Sequence, residues 1–149
     1  MATNSIPKGY HSVTPFLAIQ NVDQLIQFAQ KAFGATVVSR LEKSTGGVMH
    51  AELKIGDSMI MLGDASPGQP PSKATLYLYV DNADAVYKQA LQAGATSVQS
   101  PTDQFYGDHA GGVTDPGGNQ WWIATHIEDV PEDELKKRAK QWENEMAKK

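Results

Sequence analysis

The sequence predicts an α+β fold built from two tandem βαβββ modules and a C-terminal helix, and three features of its 149 residues predict it. First, the chain is written twice: residues 14–38 read TPFLAIQNVDQLIQFAQKAFGATVV and residues 75–98 read TLYLYVDNADAVYKQALQAGATSV. Thr14 falls opposite Thr75, Leu17 opposite Leu78, Asn21 opposite Asn82 and Asp23 opposite Asp84, and a one-residue shift within the helix brings Gly34 onto Gly94. An ordered series of matches at one period is the mark of a duplicated unit. Second, a hairpin pattern follows each copy. Third, the chain closes on a charged segment unlike the rest.

The elements follow in order. Each copy begins with a short β-rich run and passes into Asn-x-Asp, where a side-chain oxygen can accept an orphan N–H and the acid meets the positive end of a helix. Val22, Ile26, Ala29 and Phe33 recur at helical spacing in the first copy, and Ala83, Val86, Ala90 and Ala93 in the second, so both helices are amphipathic covers for a sheet. Gly34 and Gly94 then supply left-handed caps. Further strands are expected near residues 36–41 and 97–100. VMHAELKI and SMIMLG flank the tight-turn pair Gly56-Asp57, and GGVTD and NQWWIAT flank Pro116-Gly117-Gly118. Module one therefore covers about residues 10–64 and module two about 74–127, joined by the Pro-, Gly- and Ser-rich linker 65–73 within a single domain.

The tail, residues 128–149, carries seven acids and six bases, with Pro131 at a helix start, acids at 132–134 and lysines at the end, which predicts a helix over about 131–148. Leu135, Ala139, Trp142 and Met146 form a narrow apolar stripe that packs either on its own body or on a partner subunit.

Composition excludes several classes. A net charge of -4 argues against broad binding of nucleic acid, which needs a clustered basic face. No apolar run is long enough to span a bilayer and the N-terminus has no apolar signal core, so a soluble, cytoplasmic protein is expected. With no cysteine there is no disulfide, thiolate metal site or cysteine nucleophile. A metal would have to come from His11, His50, His109, His126 and the carboxylates.

The duplicated unit resembles the vicinal oxygen chelate superfamily, the glyoxalase/bleomycin-resistance/dioxygenase fold, from about Tyr10 to Val130. The runs GYHSVTPFLAI, KAFGA, VMHAELKIGDSMIMLGD, QFYGD and TDPGGNQWWIATHIEDV are similar to its PhnB-like branch. The resemblance implies mixed sheets curling around a U-shaped cavity, often completed across a homodimer. It leaves function open among isomerases, dioxygenases, transferases and proteins that only sequester drugs. Metal enzymes of this superfamily carry ligands on the first and last strand of each module, and those positions fall here on Thr14, near Ile60, on Thr75 and near Trp122. A neutral hydroxyl is a poor transition-metal ligand and Ile and Trp are none, so no metal and no cofactor are expected.

Further polar and aromatic residues offer alternative roles around that cavity. His50 and Glu52 share one face of a strand with Lys54, as a surface ion-pair row, a ligand-contacting wall or part of a metal site. Tyr106, Asp108 and His109 lie in a glycine-flanked stretch read as a loop, in which Tyr106 can donate to a bound oxygen or Asp108 can cap local backbone. His50 with Glu52 and Tyr106 with Asp108 are thus the weak catalytic candidates. His11 and His126 read as structural, His126 pairing with Glu128 or Asp129. Alternation places Thr14, Phe16, Thr75, Tyr77 and Tyr79 opposite the aliphatic residues, with Trp122 beside them and Trp121 turned away, as a small-molecule pocket or as plain core. The reading that follows is a metal-independent binding protein for a small, aromatic or antibiotic-like molecule, working as a homodimer. The alternative is a glyoxalase-like lyase, isomerase or dioxygenase with an atypical site.

Overall fold

The computed structural model describes residues 3–149. Module one comprises β1 (Phe16–Ile19), α1 (Val22–Phe33), β2 (Thr36–Glu42), β3 (Val48–Ile55) and β4 (Ser58–Asp64). Module two repeats it as β5 (Thr75–Tyr79), α2 (Ala83–Gln92), β6 (Thr96–Asp103), β7 (Asp108–Thr114) and β8 (Gln120–His126), and α3 (Glu132–Ala147) ends the chain. Both Asn caps form: Asn21 Oδ1 accepts from the Gln24 amide and Asn82 Oδ1 from the Ala85 amide, each at 3.1 Å. Gly34 ends α1 in the left-handed conformation, as its position predicts. The second helix differs, because Ala93 caps it in right-handed geometry and the positive φ falls one residue later on Gly94.

The two four-stranded sheets have the same topology, β1-β4-β3-β2 and β5-β8-β7-β6, with the first strand of each module parallel to the last and the others antiparallel. Phe16 pairs with Met61 and Tyr77 with Trp122. The module-one counterpart of Trp122 is therefore Met61, not Ile60, which lies one residue off, on the buried helix side. A one-residue error of register moves a side chain to the opposite face.

Each sheet buries one face under its helix. Val22, Leu25, Ile26, Phe28, Ala29 and Ala32 of α1 meet Leu17, Leu53 and Leu62 of the first sheet, while Ala83, Tyr87 and Ala90 of α2 meet Val113, Trp121 and Ile123 of the second. Each such large aliphatic or aromatic side chain contributes about 1.5–3 kcal/mol by leaving water. The modules join on this side, where Phe33 packs on Trp121 with ring centroids 4.8 Å apart and Gln89 donates to the Lys31 carbonyl at 2.7 Å. Trp121 thus turns away from Trp122, as alternation predicts.

The other face of each sheet has no helix. The tail helix α3 buries none of its residues. It is held by Arg138, which grips both Glu128 carboxylate oxygens at 2.8 and 2.9 Å and donates to the Phe105 carbonyl at 3.2 Å. Trp142 from its apolar stripe meets Phe105 with centroids 5.9 Å apart.

Candidate functional site

Period-two alternation in β5 sends Leu76 and Leu78 toward α2 and Tyr77 and Tyr79 to the open face, with Thr75 at the strand's start. Parallel pairing sets Trp122 beside Tyr77 on the same face. The Trp122 ring lies flat over Gly112 of the next strand, where a Cβ would stand only 3.0 Å from it. Asp108 opens β7 opposite His126, the last residue of β8.

These strands converge on one carboxylate. Asp108 is 2% exposed, yet its Oδ2 accepts the Tyr77 hydroxyl at 2.7 Å and the Tyr79 hydroxyl at 2.9 Å, and its Oδ1 accepts His126 Nδ1 at 2.8 Å. Tyr106, from the turn before β7, stands 3.2 Å from the Tyr77 hydroxyl. The stretch read as a loop is therefore a strand from Asp108 onward. Asp108 does not cap local backbone; it gathers side chains from two other strands. Tyr106 and Asp108 meet only through Tyr77.

The turn itself is fixed by Gly107. Its φ of 101° is open to glycine and strained for other residues, and a Cβ there would run into the Glu128 carbonyl oxygen. Its own carbonyl accepts the amides of Ile127 and Glu128 at 2.9 and 3.1 Å, which draws the end of β8 against the turn that carries Tyr106.

The electrostatics follow from this packing. Burial pushes the Asp108 carboxyl up, but the bonds from His126, Tyr77 and Tyr79 outweigh it and hold the group below its ordinary value. Tyr77 is pushed far up by burial and by its bonds to Tyr106 and Asp108, and Tyr79 is raised chiefly by its bond to Asp108. His126 is raised by Asp108 and then by Asp129, whose carboxylate takes Nε2 at 2.7 Å. A carboxylate at each ring nitrogen favours the protonated ring, in which both nitrogens donate. Its pairing with Asp129 matches the sequence expectation, whereas its grip on Asp108 had no sequence signal.

The open face of module one is different. Phe16 lies across Gly63 and near the His50 ring, with centroids 6.1 Å apart at 28°. His50, Glu52 and Lys54 share this face as alternation predicts, but Glu52 is taken by the hydroxyl of Tyr10, which reaches in from the N-terminal segment. Burial and Glu52 push Tyr10 up to about 12. Tyr10 is a residue that periodicity gives no reason to select. Thr14 lies outside β1, where its hydroxyl faces the His11 carbonyl at 3.4 Å. His109 points to the helix side, between Asp103 at 2.7 Å and Asp84 of α2 at 3.0 Å, and fastens α2 to its sheet.

The donor set does not suit a metal. The strand positions in question hold Thr75, Met61 and Trp122, with Thr14 off the strand, and no group of three or more His, Asp or Glu converges on a point among the described residues. A cavity of about 340 Å³ opens at the seam between modules, lined by Asn21, Gln24, Ser72, Lys73 and Asn119 among others. Its two asparagines are already engaged, Asn21 in capping α1 and Asn119 in accepting the Ala74 amide at 3.0 Å. The open tyrosine face is therefore the better candidate.

Comparison with known proteins agrees with this architecture. The sequence model of the Glyoxalase/Bleomycin resistance protein/Dioxygenase superfamily matches residues 10–123. Uncharacterized proteins of Mycobacterium bovis and Mycobacterium tuberculosis are 33% identical over 146 residues, covering 91% of this chain and 93% and 84% of theirs. Among solved structures, TioX from Micromonospora superposes with a TM-score of 0.65 at 22% identity, covering 78% of this chain and all of that one. A gene product of Arabidopsis thaliana gives 0.63 at 28% identity, covering 77% and 98%. TnmS3, an antibiotic binding protein from Streptomyces, gives 0.58 at 21% identity, covering 78% and 97%. With its repeated modules, paired sheets and matched residues 10–123, the chain belongs to the Glyoxalase/Bleomycin resistance protein/Dioxygenase superfamily.

Proposed function

We propose that this protein binds a small molecule, without a metal, on the open aromatic face of module two. One observation carries the reading: Tyr77 and Tyr79 are 43% and 60% exposed although their hydroxyls are fixed on a buried carboxylate. Core aromatics would be covered, and unconstrained surface aromatics would not be held in place. Rigid, exposed rings beside Trp122 are the make-up of a ligand-contacting wall. The antibiotic-binding description of TnmS3 supports the same class of ligand.

One chain leaves this wall uncovered, as it does Phe16, 41% exposed on the other sheet. A homodimer that lays the face of module one over that of a partner's module two encloses two equivalent sites, and sedimentation should then give twice the chain mass.

Binding is tested by titrating the protein with bleomycin and with a fused-ring aromatic such as an anthraquinone while following tryptophan emission. A saturable change that shrinks in the Trp122→Phe variant supports the reading, and a flat response to both probes overturns it. Recovery of the bound probe unchanged separates binding from lyase, isomerase or dioxygenase chemistry.

A further inference from the structure

Resting on that small-molecule reading, we propose that the ligand group seated on Tyr77, Tyr79 and Tyr106 is a protonated amine or a guanidinium. The hydrogens of the three hydroxyls decide this. A tyrosine hydroxyl has one hydrogen to give. Tyr77 and Tyr79 spend theirs on Asp108 Oδ2, at 2.7 and 2.9 Å. Tyr77 has none left, so the 3.2 Å contact with Tyr106 is donated by Tyr106. Every hydroxyl hydrogen in the cluster thus points inward along a chain that ends on Asp108.

What remains toward solvent is lone pairs. Neither the Tyr79 nor the Tyr106 oxygen accepts a bond from any of the described residues. Hydrogen bonds in series polarise one another, so an oxygen whose hydrogen is committed to a carboxylate is a stronger acceptor than a free phenol. A ligand carboxylate or carbonyl placed on these hydroxyls would meet only lone pairs; an ammonium or guanidinium brings the donors they require.

The rings and the surrounding charge favour the same group. Tyr77 and Tyr79 are tilted at 57° with centroids 5.2 Å apart, and Phe105 stands edge-on to Tyr106 at 5.4 Å, so the hydroxyls belong to a cluster of aromatic rings whose exposed faces lie nearby. Such faces attract cations. The bonded network around them holds the carboxylates Asp108, Asp129, Glu128 and Glu134 against the Arg138 guanidinium and the His126 ring, both already committed to carboxylates.

Four probes on one ring system test this by calorimetry: 2-naphthylmethylammonium, the matching alcohol, the matching trimethylammonium and 2-naphthoate. The primary ammonium should bind roughly tenfold or more tighter than the alcohol, as a charge-assisted bond does over a neutral one. The trimethylammonium, which cannot donate, should bind more weakly than the primary ammonium, and naphthoate should not bind. Asp108→Asn should erase the preference for ammonium over alcohol. Should that variant fail to fold, Tyr79→Phe, which removes one outward acceptor, should weaken the ammonium about threefold to tenfold and the alcohol by less, and an equal loss for both overturns the inference. An alcohol, trimethylammonium or naphthoate that binds as tightly as the ammonium overturns this inference and leaves the small-molecule reading standing. Failure of all four to bind overturns the inference, and a flat bleomycin and anthraquinone titration beside it overturns both.

Discussion

His126 donates to Asp108 across the β7–β8 ladder at 2.8 Å, and through that bond the end of one strand steadies the carboxylate on which two tyrosines of a third strand depend. Asp129 holds the other ring nitrogen at 2.7 Å, so the imidazole cannot turn without losing both bonds.

Stability should therefore depend on pH from both sides. His126 and His109 are raised above their ordinary value of 6.5, so their contribution is full below that pH and is lost as pH rises through the higher folded values. Asp108 is lowered from 3.8, so its contribution is full above that pH and is lost as pH falls through the lower folded value. Urea midpoints measured from pH 3 to 9 should be highest between roughly 4 and 6.5 for these groups. His126→Gln should flatten part of the alkaline fall and His126→Gln with His109→Gln most of it; an unchanged alkaline limb in the double variant would contradict the assignment.

Gly107→Ala should destabilise by more than about 2 kcal/mol, because the new Cβ meets the Glu128 carbonyl in a left-handed backbone. Any relaxation moves Tyr106, so weaker ligand binding should accompany the lower urea midpoint. Gly68→Ala, where a Cβ meets open space, is the control and should change neither.

Asp115→Ala should cost about 2–4 kcal/mol. This buried carboxylate accepts the amides of Gly117 and Asn119 at 2.8 and 3.0 Å and the indole N–H of Trp121 at 2.9 Å, shaping the turn between β7 and β8. Removing it strands buried donors, and the resulting exposure of Trp121 should appear as a red shift in emission.

Protein purified without chelator should hold far less than one equivalent of Zn, Ni, Fe or Mn by elemental analysis. Dialysis against EDTA should leave both the melting temperature and the bleomycin titration unchanged. A stoichiometric metal that chelation removes together with binding would overturn the metal-independent reading.

The fold was largely legible because its signals are local. Asn21 and Asn82 cap helices through bonds that span three residues, and Gly56-Asp57 turns a hairpin between strands that pair directly. The same alternation placed Phe16, Tyr77, Tyr79 and Trp122 on the faces opposite the helices. Thr14 and Ile60 were misplaced where counting outran pairing: β1 begins two residues later than the repeat implies, and the register puts Met61 beside Phe16.

The repeated runs thus determined by themselves that there are two modules and which face of each strand is apolar. Only the tertiary structure decided what the residues on the other face do. Asp108, Tyr77, Tyr79, Tyr106 and His126 come from three strand ends, a strand interior and a turn that are up to 49 positions apart in sequence, and only sheet pairing brings them within hydrogen-bond reach. Sequence periodicity records whether a side chain faces water or the core, because burial acts on each residue singly. It does not record which hydroxyl spends its hydrogen on which carboxylate, and that choice of partners leaves the outward tyrosine oxygens as acceptors.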